Sequence, residues 1–158
     1  MLKQSHAISE ELIEWRRDFH MHPEIGFELH RTSKIVADEL EKMGYRVRRG
    51  VGKTGVVAEI GEGGKVIAIR ADMDALPIHE DTGAEYTSLN QGVMHACGHD
   101  GHTSIGLTVA KILTAHKNEM VGTIKFCFQP SEEGSNDEEV GGAEMMMKDG
   151  VLENPKVD

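Results

Sequence analysis

The run Val66-Ile67-Ala68-Ile69, continued by Arg70-Ala71-Asp72-Met73-Asp74, constrains this chain most. Four consecutive apolar residues, three of them β-branched, predict a central strand covered on both faces. A strand of that kind belongs to a sheet with helices packed against it. Alternate side chains of an extended chain point the same way, so Asp72 and Asp74 project together just past the strand. Open α/β sheets bind their ligands beyond the carboxyl ends of strands. Two carboxylates placed there can hold a cation or orient a ligand histidine.

The flanking segments fit that architecture. Ile8, Leu12, Trp15 and Phe19 recur at helical spacing and predict a helix over 9–20, with Ser9 as its N-cap and Ile8 and Ile13 as a hydrophobic staple. Pro23 ends it near His22. A second helix is expected over 30–43, stopped by Gly44. Short β-type runs follow at 45–49, 55–60 and 66–71, with Gly61-Glu62-Gly63-Gly64 read as a hairpin turn between the last two. Residues 72–101 lack periodicity and form a long loop. A helix over 102–116, a strand over 123–128, an acidic loop over 131–142 and a helix over 143–148 complete the chain. Strands alternating with helices indicate a layered α/β domain.

The chain has 158 residues and a formal net charge of -10, long enough for one core and too acidic for a phosphate-backbone partner. No apolar stretch approaches the ~20 residues of a membrane span, and no signal peptide is visible at the N-terminus. Two cysteines, Cys97 and Cys127, do not make a disulfide framework, so free thiols and a cytoplasmic setting are expected.

The chemistry concentrates in two places. His95-Ala96-Cys97-Gly98-His99-Asp100-Gly101-His102 carries three imidazoles, a thiol and a carboxylate within eight residues. With Gly98 allowing a turn, Cys97 and His99 can reach one ion. Thiolate plus imidazole suits zinc, and added carboxylates widen the choice toward manganese. His102 is the weaker ligand candidate, and His95 or His102 is expected to support the ligands or touch substrate. Glu132-Glu133 follows the strand at 123–128 directly. Adjacent carboxylates diverge, so one can bind metal while the other serves as general base. Asp137, Glu138 and Glu139 read as a solvated acidic stretch. His20 and His22, at a helix end before Pro23, are expected to be structural. Gly50-Val51-Gly52-Lys53-Thr54-Gly55 is not a phosphate loop, because a strand follows rather than a helix.

Taken together, Arg16-Arg17-Asp18-Phe19-His20 with His22-Pro23-Glu24, Thr54-Gly55-Val56-Val57-Ala58, Arg70 to Ile78, Gly92 to Thr103 and Phe128 to Gly134 resemble the aminoacylase/carboxypeptidase family of metallo-amidohydrolases, in the branch of hippurate and auxin-conjugate hydrolases. The resemblance implies a layered α/β/α zinc-peptidase-like catalytic domain and hydrolysis of N-acyl amino acids. It implies a divalent-metal cofactor, commonly two ions of manganese, zinc or nickel. It assigns Cys97, His99 and Glu133 as metal ligands, Glu132 as the general base and Asp74 as an acid beside the metal centre. Asp72 stands where distant branches place a histidine ligand, and Ser131 where alanine is usual, a change without obvious cost.

Family members are more than twice as long. They carry further histidine ligands and an inserted lid and dimerisation domain that residues 1–158 lack. The expected domain is therefore the N-terminal part of the catalytic unit. Its partners are a small-molecule substrate and either a second copy or a complementing C-terminal portion, with no nucleic acid and no membrane. Two alternatives stand beside this: a non-catalytic, metal-binding remnant, and a thiol hydrolase using Cys97 with a pKa lowered by the helix that follows.

Overall fold

A computed structural model describes residues 2–134 and 140–158; the acidic stretch Asp137-Glu138-Glu139 lies outside the described residues. Three helices open the chain: α1 (Leu2–Ala7), α2 (Ser9–Met21) and α3 (His30–Lys42). Then come β1 (Arg46–Val51), β2 (Gly55–Glu62), β3 (Val66–Asp72), α4 (His99–Ala115), β4 (Gly122–Gln129) and α5 (Gly142–Lys148). The α1 helix has no apolar periodicity to announce it. Ser9 is the first residue of α2 rather than its cap, and its hydroxyl donates back to the carbonyl of His6. The end of α3 follows the sequence closely. Gly44 adopts φ +83°, Tyr45 N–H bonds to the Leu40 carbonyl and Gly44 N–H to that of Glu41, a Schellman closure.

The four strands form one sheet in the order β1-β2-β4-β3, antiparallel except for the parallel pair β3–β4. This corrects two expectations. Gly61–Gly64 is not a hairpin turn, because β4 inserts between β2 and β3. And β3 is an edge strand of this sheet, with Ile67 61% exposed; the central positions belong to β2 and β4. Of the run Val66–Ile69 only Val66 is buried, so a continuous apolar run fixes neither a strand's burial nor its place in the order. Val56, Ala58, Ile60, Phe126 and Phe128 line one face, against Phe19, Val36, Leu40 and Leu107 from the helices and Leu29 just before α3. On the other face Val57 and Cys127 meet Val51, Met146 and Val151, so α5 and the residues after it form the third layer. The architecture is the expected layered α/β arrangement.

Two contacts hold these layers at their spacing. Gly106 lets α4 lie close to the sheet, since a Cβ there would fall 2.8 Å from Phe128 Cε1 and 3.2 Å from the Cβ of Ala71. On the other side Lys125, alternating with Phe126, is buried. Its ammonium donates to the carbonyls of Val151, Glu153 and Pro155 at 3.1, 2.9 and 2.8 Å and faces Glu59 Oε1 at 3.4 Å. The Gly50–Gly55 turn joins β1 to β2, and the Gly52 N–H is taken by Asp149 Oδ2 at 2.7 Å, so the turn spends this donor on the protein itself. Among the described residues no helix is long and apolar enough to cross a membrane.

The parallel pair sets the stage for the site. Asp72 and Gln129 face each other at the ends of β3 and β4, and Met73 N–H still bonds the Gln129 carbonyl at 2.9 Å. Past this point the two chains emerge side by side, carrying Asp74 on one and Glu132-Glu133 on the other. The long loop from Met73 is tied down by the Leu76–Met94 bridge and by Ala75 N–H to Glu24 O at 2.8 Å. It delivers the chain to the start of α4, over the same strand ends.

Candidate metal centre

The helix α4 begins at His99, three residues earlier than its periodicity suggests, so His99, Asp100 and His102 lie in its first turn and only His95 to Gly98 precede it. Polar residues with ligand chemistry occupy that turn and mask the apolar pattern. Gly98, at φ +82°, reverses the backbone and caps the turn by accepting from the N–H groups of Gly101 and His102 at 2.9 and 3.2 Å. The reversal puts Cys97 and His99 on one side, as anticipated.

His99 is buried and its orientation is determined. Its Nδ1 lies 2.9 Å from the backbone carbonyl of Asp74 and 3.3 Å from Asp74 Oδ1. A carbonyl only accepts, so Nδ1 carries the proton and Nε2 presents its lone pair. That lone pair looks out at Glu132 Oε2 at 3.8 Å and Glu133 Oε1 at 4.0 Å. The hydrogen bond to Asp74 raises the pKa of His99 above the ordinary imidazole range, against the opposing effect of burial. Asp74 is itself buried, which pushes its carboxyl up. The bonds from His99 and the N–H groups of Glu133 and Glu132 outweigh that and leave it below the ordinary range. One of those bonds, Glu133 N–H to Asp74 Oδ2, is 3.0 Å long. Asp74 thus ties the two strand extensions together, with its Oδ1 facing His99 Nδ1.

Cys97, His99 and Glu133 each offer a donor atom, and these atoms lie within 4.8 Å of one another. A second set, Asp72, His99 and His102, meets the same criterion and shares His99. The Glu133 carboxylate beside Cys97, followed by desolvation, holds the thiol above its ordinary pKa. This direction is opposite to the lowering expected from the helix that follows. Without a cation to offset that carboxylate, Cys97 is a poor thiolate nucleophile.

The two glutamates do not diverge as expected; both approach His99 Nε2. Their other partners distinguish them. Glu133 is held by its own N–H and lies next to Cys97. Glu132 Oε1 meets the guanidinium of Arg70 at 3.5 Å, and Arg70 Nε is bound to Asp72 Oδ1 at 2.7 Å. Sequence reasoning passed over Arg70, although its place two residues before Asp72 on one strand face signals the contact. His102 Nδ1 sits 3.3 Å from Asp72 Oδ2 with its ring 53% exposed. His95 is set apart from both donor groups. It is 4% exposed, neither ring nitrogen has a hydrogen-bond partner, and burial holds its pKa down at about 4.

Behind the site stands the segment Arg16 to His20. His20 is structural in the sense expected, and what it supports is the start of α4. Its Nδ1 lies 2.6 Å from Asp100 Oδ2 and its Nε2 3.1 Å from Glu80 Oε1. Arg16 Nε adds a second contact to Asp100 Oδ2 at 3.0 Å. His22 is turned away, with Nδ1 at 2.8 Å from the Asp18 carbonyl. Ser131 departs from expectation: it is buried at φ +46° and its hydroxyl has no hydrogen-bond partner, so replacing alanine there does carry a cost.

Known proteins resemble this chain in sequence and fold. The N-acyl-L-amino acid amidohydrolase of Geobacillus stearothermophilus is 43% identical over 152 residues, covering 95% of this chain and 40% of its own length. Hippurate hydrolase of Campylobacter jejuni is 46% identical over 140 residues, covering 87% of this chain and 35% of its own. The crystal structure of the YXEP protein of Bacillus subtilis, named as a dinuclear metal-binding peptidase of the M20 family, superposes with a TM-score of 0.87 at 43% identity, covering 97% of this chain and 42% of that one. The chain therefore spans about two fifths of the length of the proteins it matches. The profile of peptidase family M20/M25/M40 matches residues 68–158, which takes in most of β3, the donor groups and both glutamates. With that match over more than half of its length, the chain belongs to peptidase family M20/M25/M40, a family of hydrolases.

Proposed function

We propose that this chain supplies the metal-holding and water-activating part of an amidohydrolase that acts on N-acyl amino acids. The observation carrying this reading is the convergence of Cys97, His99 and Glu133 donors within 4.8 Å, with Glu132 Oε2 3.8 Å from the same imidazole nitrogen. The residues fit a divalent cation. Sulfur, nitrogen and oxygen donors meet at one point. Asp72 and Glu132 pair with the guanidinium of Arg70 while Asp74 and Glu133 lie beside His99, an excess of negative charge that a cation offsets. A divalent ion bound there, zinc or manganese by donor type, polarises the amide carbonyl and acidifies water.

The side chains then divide the work. Cys97, His99 and Glu133 hold the ion. Asp74 fixes the His99 ring and, through the Glu133 N–H, the position of Glu133. Glu132 takes a proton from the attacking water and returns it to the leaving amine nitrogen, as a general base and then a general acid. Arg70 steadies its other oxygen. Substrate closure and the remaining ligands come from a complementing C-terminal portion. The exposed Ile67 on the edge strand β3 marks where further structure can pack. A reducing, cytoplasmic setting keeps Cys97 available as a ligand.

The test is a fusion of this chain to the remaining part of the Geobacillus relative, assayed on a panel of N-acyl amino acids with metal content measured alongside. Glu132→Gln is expected to lower kcat by roughly 100- to 10,000-fold with metal content unchanged, whereas Glu133→Gln loses metal. Chelator-resistant turnover, or full activity in Glu132→Gln, counts against the proposal.

A further inference from the structure

The segment between α2 and α3 contains His22-Pro23-Glu24 and has no part in that reading. Its backbone carbonyls accept from three other parts of the chain. Pro23 O takes Asn90 Nδ2 at 2.7 Å, and Glu24 O takes Ala75 N–H at 2.8 Å. Gly26 O takes Ser131 N–H at 3.0 Å, and Phe27 O takes Thr54 Oγ1 at 2.9 Å. Two of these donors stand out. Ala75 follows Asp74 and Ser131 precedes Glu132, so one short segment holds both strand extensions beside the residues that orient His99 and activate water. A parallel bridge between Ile25 and Ala75 reinforces the first hold.

The Glu24 side chain fixes this segment in place. Leu29, the N-cap of α3, makes no side-chain cap bond, and the N–H groups of a first helical turn need an acceptor from elsewhere. Glu24 supplies one oxygen to Arg31 N–H at 3.0 Å and the other to Thr32 N–H at 2.7 Å. The helix dipole favours negative charge at that end. The helix itself is seated in the core by Val36 and Leu40. Support therefore runs from the core through α3 to the Glu24 carboxylate. From there the Glu24 and Gly26 carbonyls carry it to the two sides of the site.

We propose that Glu24 is a positioning residue: by capping α3 it sets where Asp74 with His99 stands relative to Glu132 and Glu133. The inference rests on the roles given above to His99, Asp74 and Glu132. A carboxylate that only caps a helix affects stability alone. A carboxylate that also positions the site changes its geometry in a chain that is still folded.

The test compares the wild-type chain with Glu24→Ala and with Val36→Ala, which weakens the same helix from its buried face without touching the segment. In the metal-free chain, NMR reads amide exchange at Ala75 and Ser131 and the His99 Nδ1–H resonance. Glu24→Ala is expected to lose protection at both amides and to shift that resonance, whereas Val36→Ala leaves the resonance in place. Cobalt(II) affinity is expected to fall roughly 10- to 100-fold in Glu24→Ala and to match the wild type in Val36→Ala. Unchanged amide exchange and an unchanged His99 resonance in folded Glu24→Ala overturn the proposal, as does an equal loss of cobalt affinity in both variants. A folded wild-type chain that binds no cobalt overturns the ligand reading instead, and the NMR comparison still decides the role of Glu24. If Glu24→Ala lacks native circular dichroism, Glu24→Gln, which keeps the shape and one acceptor, takes its place under the same criteria.

Discussion

Asp100→Asn tests how the candidate site is anchored. Asp100 is 1% exposed and takes three donors: His20 Nδ1 at 2.6 Å and Arg16 Nε at 3.0 Å on Oδ2, and Gly101 N–H at 2.8 Å on Oδ1. An asparagine keeps the shape and one oxygen. If that oxygen stays on the Gly101 amide, the new NH2 faces two groups that were donors. His20 can turn Nδ1 into an acceptor while keeping its Nε2–H on Glu80, but Arg16 has only donors. One charge-assisted bond, worth about 1.5–3 kcal/mol, becomes a neutral one of about 1 kcal/mol. The Arg16 contact is lost outright, discounted to about 1 kcal/mol because that side chain is 33% exposed. The sum is a destabilisation of about 1.5–3 kcal/mol. With a urea m-value of about 1–3 kcal/mol/M, the unfolding midpoint falls by about 0.5 M or more at constant m. Because Asp100 pins the turn that bears His99, zinc affinity should fall as well, by roughly 10- to 100-fold. A midpoint shift under about 0.3 M with unchanged zinc affinity refutes the claim that α2 anchors the site through Asp100.

Three further outcomes follow from the same geometry. Ser131→Ala removes a buried hydroxyl that has no partner and is expected to raise stability by about 1 kcal/mol in urea unfolding; a loss of that size contradicts the reading. Lys125→Met leaves the Val151 carbonyl and Glu59 without their cation. It should cost about 3–5 kcal/mol and speed amide exchange over 150–158, where an unchanged exchange pattern tells against Lys125 holding that segment on the sheet. Stability should also fall with acid in two windows. His95 has a folded pKa of about 4 against an ordinary 6.5, so its contribution is complete above 6.5 and declines as pH falls from there toward 4. Glu80, whose burial would raise its pKa but whose bonds from Thr82, Ser88 N–H and His20 bring it down to about 2, loses its contribution between about 4.5 and 2. Equilibrium unfolding across pH 3–7 reads both, and a flat profile between 6.5 and 4 contradicts the first.

Much of the site was legible because its residues are local and chemically unusual. Cys97, Gly98 and His99 are consecutive, and the reversal at Gly98 is what a glycine between two ligand types suggests. Asp74 could be placed at the strand end, where its carbonyl and carboxylate face the His99 ring. What escaped was non-local. Nothing within Gly61–Gly64 tells a hairpin from a crossover, because the strand that intervenes, β4, comes sixty residues later. The direction of Glu132 and Glu133 depends on Arg70 and Asp74 on a neighbouring strand, so a rule about adjacent side chains diverging misjudged them. The pKa direction of Cys97 reversed for the same reason: the helix end is visible in sequence, but the carboxylate beside the thiol comes from a residue 36 positions away. His20 looked like a helix-end residue because its partners, Asp100 and Glu80, lie across the fold.

Zinc K-edge X-ray absorption of the zinc-loaded chain tests the central claim most directly. If Cys97, His99 and Glu133 hold the ion, the first shell contains one sulfur at about 2.3 Å with nitrogen and oxygen scatterers at about 2.0–2.2 Å, and the sulfur is absent in Cys97→Ala. A wild-type shell of nitrogen and oxygen alone would contradict the account.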